Sequence, residues 1–556
     1  MKKIIALSIA VSMAIGLFVS CDIFNLAPPE RDNPHDPGGE NLSLFLTSAI
    51  PAPGSDTAAP DSTISVTFSE ELDLLQSNPD CFTLMLGDTS VAGNIDVTLT
   101  GFEFTADDLL ERTASYTGNI TAESGFVASG GHTLDADFSW SFSIADWIWG
   151  TATELTSPHC ENISHYDVPH LVIDGSGNAI AVMQGSWDTA TGYAMLAARF
   201  SEATETWSDL TLVSTGTSNA NSNTLAGNND GQAMVTWYEN YQIWSNRFET
   251  SWQGAEQVSD TAEANSDYAA AVSAEGTCAV FWSDNMMTEE LENSTLWIRY
   301  RPSGGAWESR MEVASSTEMV DFRTRHMVFG TAPNDPAADV MVLWMESNRI
   351  KSATCTLGGA VTPTSFLDTN TDESQSISDL QLISTGDSGF AAAWKEDNRI
   401  YVTRCTSGGW EIAAAIDSAP ETVGDYALQS DSSGNLYMVW LETDASGGES
   451  VIFKTWSSSG GWSGPCTVSA QSGFDFSVNG SGDGRLIWPE SDGIQDKVRS
   501  CAYTPDGGWT EAVWVEDIND GFANNLRIAL NDNGNCVAVW IKTDNPDYAF
   551  WGNSLK

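Results

Sequence analysis

A chain of 556 residues is longer than one core usually holds, so two or more folded units are expected. It has 76 acidic and 23 basic residues, a net charge of −53 with only 18% charged residues, so the acidity reflects missing Lys and Arg rather than an acidic tail. Such a surface argues against nucleic acid, whose phosphates need Lys and Arg to displace counterions, and against adsorption to anionic lipid; it suits solubility in a salty extracellular setting and attracts cations or basic partners.

Met1-Lys2-Lys3 followed by Ile4–Val19 reads as a basic region and an apolar region too short for a membrane span. The run ends in Phe18-Val19-Ser20-Cys21, which resembles the lipobox of bacterial lipoproteins, with Phe18 in place of the usual Leu. The resemblance implies that residues 1–20 are a signal peptide and that Cys21 carries lipid. It implies a place in the cell envelope outside the cytoplasm, at the outer membrane or cell surface rather than the inner membrane, with the lipid as the sole membrane contact. Residues 21–43 contain Pro28, Pro29, Pro34 and Pro37 and little to bury, and read as a flexible tether.

Residues 44–146 read as a β-sandwich. Ile64, Val66 and Phe68 alternate with polar residues, as do Ile95, Val97 and Leu99, and Phe138, Trp140, Phe142 and Ile144, with Pro, Gly and Asp turns between. The stretches Ile50–Gly54, Ile64–Glu70, Phe82–Leu84 and Trp140–Ser143 resemble the bacterial Ig-like domain of surface-layer proteins. That resemblance implies a spacer or adhesive module. Glu70, Glu71 and Asp73 read as solvated loop charge.

Residues 147–556 are organised around a repeat whose clearest copy is Asp431–Glu442: a turn, a short strand, a large aromatic and an acid. The strand ends on Met183, Trp237, Trp282, Trp344, Trp394, Trp440, Trp488 and Trp540, 357 residues over seven steps and a mean period of 51. Several short strands per unit at such a period predict a β-propeller. In the Asp431 unit the expected strands are Tyr426–Gln429, Leu436–Trp440, Val451–Trp456 and Ser463–Ser469. The last unit runs out of chain after Ala549–Leu555, while Trp149–Thr156 is a strand without a unit, so the two ends are expected to close one composite blade. This predicts eight blades, or seven if the weak unit 324–370 is misread. The repeat style resembles sialidase-like and Asp-box propellers.

Cysteines other than Cys21 fall at strand positions. Cys355 and Cys405 stand where other units have Phe200, Phe248, Tyr300, Trp456 and Tyr503, and Cys278 and Cys536 precede the closing Trp by four residues. They read as small buried hydrophobes, as do Cys466 and Cys501, while Cys81 and Cys160 stay open.

Three groups are candidate sites. An acid follows the closing aromatic by two residues at Glu239, Asp284, Glu346, Glu396, Glu442 and Glu490, and Asp167, Asp267, Asp379, Asp425 and Asp475 precede first strands. Two rings of carboxylate at one mouth would suit Ca²⁺, the candidate cofactor, or a basic partner; duplicated loop acids are the alternative. His159, Cys160, His165 and His170 are a candidate transition-metal set, set against chance clustering in a loop. Trp187, Tyr238, Tyr241 and Trp244 lie in or near loops after second strands and would stack on sugar rings, with core packing as the alternative.

For catalysis, Arg323 and Arg325 lack the context of a sialidase arginine triad, and Arg199, Arg247, Arg299 and Arg404 recur as a repeat position, which is structural. No nucleophile elbow, phosphate loop or His-Glu-x-x-His is present. The sequence therefore reads as a lipid-anchored binding protein whose propeller face takes a glycan or a basic protein. A glycosidase-like enzyme on the same face, needing only two carboxylates, and a cell-envelope scaffold are the alternatives.

Overall fold

The computed structural model describes residues 44–555 apart from 56–62, 108–109, 111–113, 123–124, 145–148, 165–167, 191, 261–263, 286–293, 317–321, 331–338, 347–348, 368–376, 387–388, 418–421, 445, 517, 519–520 and 545–546. Cys21, His165 and Asp167 lie outside the described residues. The chain divides into two compact units after Ile148.

The first unit is a sandwich of two four-stranded antiparallel sheets. One runs Leu46–Ile50, Ile64–Phe68, Gly101–Ala106, Gly93–Val97 in spatial order; the other runs Thr89–Ser90, Phe82–Leu86, Ser115–Ile120, Phe138–Ser143. Period-2 alternation sends Ile64, Val66, Phe68, Phe102, Phe104, Trp140 and Phe142 inward. Phe102 and Phe126 stack at 5.0 Å, and the buried Trp140 indole donates to the Pro51 carbonyl at 3.2 Å. Fully burying one such ring contributes roughly 1.5–3 kcal/mol. Leu99 departs from the expected pattern. Its strand stops at Val97, Thr98 N–H closes a tight turn on the Gly101 carbonyl, and Leu99 is left 55% exposed. Glu70 is not simply solvated, because it pairs with His132 at 3.0 Å, and Asp73 accepts from the Leu75 amide at 2.9 Å.

The second unit is a β-propeller: eight antiparallel sheets follow one another, each with four strand positions from inside to outside. In the sixth sheet these are Thr422–Ser430, Leu436–Thr443, Glu449–Ser457 and an outer strand split into Gly461–Trp462 and Cys466–Val468. The weak unit forms a sheet of its own: Phe322–Phe329, Val340–Glu346, Arg349–Cys355 and Val361–Phe366. The eighth sheet takes its fourth strand from the start of the unit. Thr153–Glu154 pairs with Asp547–Leu555, Trp149 bridges to Leu555, and Asn553 Nδ2 donates to the Gly150 carbonyl at 2.9 Å. The first strand of the first sheet, His170–Ile173, touches both Asn221–Gly227 of the second and Phe522–Leu530 of the eighth, so the innermost strands form a closed ring.

Sheets pack through the second strands. Trp237, Trp282, Trp344, Trp394, Trp440, Trp488 and Trp540 are the largest fully buried side chains of the molecule. Innermost strands of six sheets carry a β-bulge opposite or next to this Trp, and Ser222, Asp379 and Asn525 take left-handed φ values of 49°, 53° and 50° there. An extra residue on one strand increases local twist, which lets the sheets fan around an axis.

The turns between first and second strands interlock. Asp431 Oδ1 accepts the amides of Ser433 and Asn435, both at 2.9 Å, and Gly434 supplies the φ of +77° that the turn needs. At six of the eight junctions a turn grips its neighbour. Gly175 N donates to Asn229 O, Asn228 Nδ2 to Ser273 O, Gly386 N to Asp431 O, Ser432 N to Gly480 O, Gly480 N to Asp532 Oδ1, and Asn531 Nδ2 to Asp174 O across the closure.

The thiols sit largely as expected. Cys81, Cys278, Cys355, Cys405, Cys501 and Cys536 are buried thiols outside any disulfide, Cys160 is half-buried, and Cys466 is exposed, because the short outer strand faces solvent. The recurring arginines are structural. Arg404 stacks on Trp456 of the next sheet at 3.7 Å, and Arg299 donates to the carbonyls of Glu308 and Val258, both at 2.6 Å.

Candidate functional site

The acids two residues past each closing Trp are held by that Trp. Side chains at i and i+2 of a strand share one face, which sets carboxylate beside indole. Nε1 donates to the acid in all six pairs: Trp237 to Glu239 at 2.8 Å, Trp282 to Asp284 at 3.1 Å, Trp344 to Glu346 at 3.4 Å, Trp394 to Glu396 at 3.1 Å, Trp440 to Glu442 at 2.8 Å and Trp488 to Glu490 at 3.0 Å. Cations neutralise three of them: Arg310 on Asp284 at 3.1 Å, Lys351 on Glu346 at 2.7 Å and Arg499 on Glu490 at 2.9 Å. Glu239 is 1% exposed and also accepts from Thr215, Thr217 and Ser218. Burial pushes its pKa up, but the hydrogen bonds from Thr215, Trp237, Ser218 and Thr217 outweigh it and hold the carboxyl below its usual value. The ring of acids is thus a clasp of the fold, with one oxygen of each carboxylate held by an indole.

In the second ring two acids are engaged, while Asp425 is exposed. Asp379 pairs with Lys395 at 2.7 Å, and Asp475 Oδ2 accepts the Ile528 amide of the next innermost strand at 2.8 Å.

The His/Cys set does not converge. Cys160 lies opposite Trp187 on the second strand Ala179–Trp187, while His170 lies opposite Val182. Five residues separate those positions, roughly 17 Å along an extended strand. His159 Nδ1 pairs with Asp188 Oδ2 at 2.8 Å, and Cys160 Sγ points to the Asn162 carbonyl at 3.7 Å. His170 lies on the innermost strand of its sheet, where burial and then the Arg527 charge push its pKa down to about 4. Among the described residues no group of three or more His, Cys, Asp or Glu is placed to hold a metal.

The aromatics separate into two kinds. Trp244 lies opposite Trp237 in mid-sheet and packs against the buried cluster between sheets, so it is a core residue. Tyr241 is the opposite case. It sits at the tip of the hairpin joining Ala233–Glu239 to Gln242–Phe248, with φ of +64° after Asn240 at +53°, and is 69% exposed. Both positive φ values belong to the tight turn whose twist matches its strands. Tyr238 packs edge to face on it at 6.5 Å, and burial raises the Tyr238 phenol pKa. In the first sheet, at the same end of the strands, the His159 ring lies 5.4 Å from the Trp187 ring. A polar bridge joins the two sheets here: Asn219 Oδ1 accepts the Tyr193 amide at 2.9 Å, Ala220 N donates to the Tyr193 carbonyl, and Asn221 pairs opposite Tyr238. This end of the first two sheets therefore combines aromatic faces with Asp188, His159 and Asn side chains. Sequence reasoning missed Asp188, Tyr193 and Asn219; the density of Asn and Ser at 218–223 was the available signal.

Comparison with known proteins bears chiefly on the first unit. Residues 41–144 match the bacterial Ig-like domain family. This unit is a bacterial Ig-like domain. No curated protein sequence matches the chain. Solved structures similar to it include an ulvan lyase of a polysaccharide lyase family bound to a glucuronate–sulfated rhamnose unit, at 11% identity, covering 73% of this chain and 95% of that one with a TM-score of 0.39. A Hadza microbial sialidase matches at 11% identity over 72% of this chain and 90% of its own, TM-score 0.33. The fucose-specific lectin of Aleuria aurantia matches at 12% over 55% and 96%, TM-score 0.32.

Proposed function

We propose that the chain is an extracytoplasmic binding protein, tethered by lipid on Cys21, with the Ig-like domain as a spacer and the eight sheets as the blades of a ligand-presenting propeller. Its ligand is a glycan held at the loop end of the first two sheets. The carrying observation is Tyr241, which is 69% exposed, fixed in a left-handed hairpin and buttressed by Tyr238. A rigid aromatic presented to solvent supplies a stacking face at little entropic cost, and Asp188, His159 and neighbouring Asn side chains supply acceptors and donors for hydroxyl groups. Binding is favoured over turnover because the six repeat carboxylates are engaged by indoles, leaving them poorly placed as an acid–base pair.

A glycan array probed with the soluble chain tests this. Specific signal is expected, unchanged by chelator, lost in Tyr241→Ala and retained in Tyr241→Phe. A blank array, or signal indifferent to Tyr241→Ala, overturns the glycan reading and makes a protein partner the next ligand class to test. Release of shortened glycan during incubation would instead establish an enzyme.

A further inference from the structure

Between the third and fourth sheets, at the turn end of the strands, described residues of both sheets line a cleft. The turn at Ser273–Gly276 receives Asn228 from the second sheet on one side. On its other side Gly330 N donates within its own sheet, to the Asp339 carbonyl at 3.1 Å. The cleft holds about 660 Å³, whereas cavities between the first and second sheets and between the eighth and first hold about 10 Å³ each. Ligand pockets commonly span about 300–1,000 Å³.

Its lining is chemically one-sided. Tyr300, Phe329, Pro302 and Leu357 provide apolar surface, Glu275 and Asp339 provide carboxylates at an exposed rim, and among the described residues no Lys or Arg lines it. Tyr300 and Phe329 are fixed from behind, where both pack on the buried cluster between these two sheets. Asp339 is oriented by the Leu357 amide, which donates to its Oδ2 at 2.8 Å. Gly358 keeps the entrance open, since a Cβ there would lie 2.7 Å from the Tyr300 hydroxyl.

Two carboxylates over aromatic and aliphatic surface, in a chain of net charge −53, repel anions and leave a positive ligand as the complementary one. A neutral ligand would satisfy the apolar floor but leave both carboxylates without a counter-charge. Aromatic faces add to the attraction for ammonium groups. We propose that this cleft binds an organic cation, a protonated or quaternary amine on an apolar body. The charge sits at Glu275 and Asp339, and the body lies on Tyr300, Phe329 and Leu357. This site is separate from the glycan surface at the opposite end of the strands and does not depend on it.

Calorimetric titration of the whole chain with 1,5-diaminopentane and with phenyltrimethylammonium, against 1,5-pentanediol as the uncharged control, tests the proposal. Saturable binding of both amines, weakening with added salt, and none of the diol are expected. Glu275→Gln should weaken binding roughly ten-fold, the scale of one charge-assisted contact. Ala274→Trp, an exposed position that fills the cleft, should abolish it, and Tyr241→Ala should leave it unchanged. Both cleft variants change exposed side chains, and their melting curves check the fold. Absence of saturable amine binding, equal binding of the diol, or full binding by either cleft variant overturns the proposal.

Discussion

Lys542 Nζ lies 3.0 Å from Glu516 Oε2, with both side chains almost entirely withdrawn from solvent, at the repeat position where six other sheets carry an acid. The exchange of acid for lysine has a visible cost one turn of the strand away. Trp540 Nε1 is buried without a hydrogen-bond partner, while the six equivalent indoles reach a carboxylate. Burial raises the pKa of Glu516, and the Lys542 charge and hydrogen bond act against that rise. Removing one member of a buried pair strands the other, at a cost of about 3–5 kcal/mol, whereas replacing both with apolar groups can be neutral. Lys542→Met is therefore expected to lower the urea midpoint sharply, and Lys542→Met with Glu516→Leu to recover most of the loss. A double variant no more stable than the single one would show that the pair itself supports the eighth sheet.

The seven buried Trp should not respond alike to loss of the indole N–H. Trp440→Phe removes a 2.8 Å bond and leaves Glu442 short of a donor, adding roughly 1–3 kcal/mol to the packing loss. Trp540→Phe has no such bond to lose and relieves an unpaired buried donor. Urea unfolding should rank Trp540→Phe as clearly the milder change. Equal losses would mean that packing alone sets the cost and that the indole–carboxylate clasp contributes nothing measurable.

Acid should destabilise the propeller through two histidines. Burial pushes both His170 and His326 to a pKa of about 4, against an ordinary value of 6.5. Between those values the unfolded chain binds the protons that the folded chain refuses, so stability is full above about pH 6.5 and falls as the pH drops toward 4. The two together are worth on the order of a few kcal/mol. Asp475 opposes part of this, because burial raises its pKa and protonation relieves that burial, while Arg527 pulls it back down. Melting temperature measured from pH 7 to pH 4 should decline less steeply in His170→Gln and His326→Gln, the slope easing further in the double variant. A double variant with the parent slope would place the acid sensitivity elsewhere.

How much of this was legible in the sequence follows from what periodicity encodes. The Trp spacing announces the sheets, because each sheet must bury one large side chain against its neighbour at the same depth. The composite eighth sheet was legible for the same reason: Trp149–Thr156 is a strand without a hairpin partner, and Asp547–Leu555 is a strand with a vacant edge. The partner of the acid ring was legible in principle, since residues two apart on a strand share a face, yet the acids read as loop residues because the second strands run two or three residues past Trp. Convergence of His159, Cys160 and His170 could not be judged from spacing. The chain pairs twice with the same strand, at positions five residues apart. The cleft beside Tyr300 has no sequence signature, because its lining comes from separate turns and strands of two sheets, brought together only by the fold.

The cysteines offer a test of the packing at single-residue resolution. Burial raises the thiols of Cys355, Cys501 and Cys536 to about 12 and those of Cys81, Cys278 and Cys405 to about 11, which leaves almost no thiolate to react at neutral pH. Cys466 is exposed on the short outer strand of the sixth sheet, and its Sγ meets only the Thr467 carbonyl at 3.7 Å. Native protein treated with a thiol-alkylating reagent and mapped by mass spectrometry should therefore carry label at Cys466 first and at half-buried Cys160 more slowly. The six buried thiols should label only with global unfolding, their rates tracking the urea transition. Early label at Cys536 would be the informative failure. It would mean that the eighth sheet, closed by Thr153–Glu154 from the start of the second unit and held by the Lys542–Glu516 pair, opens ahead of the rest.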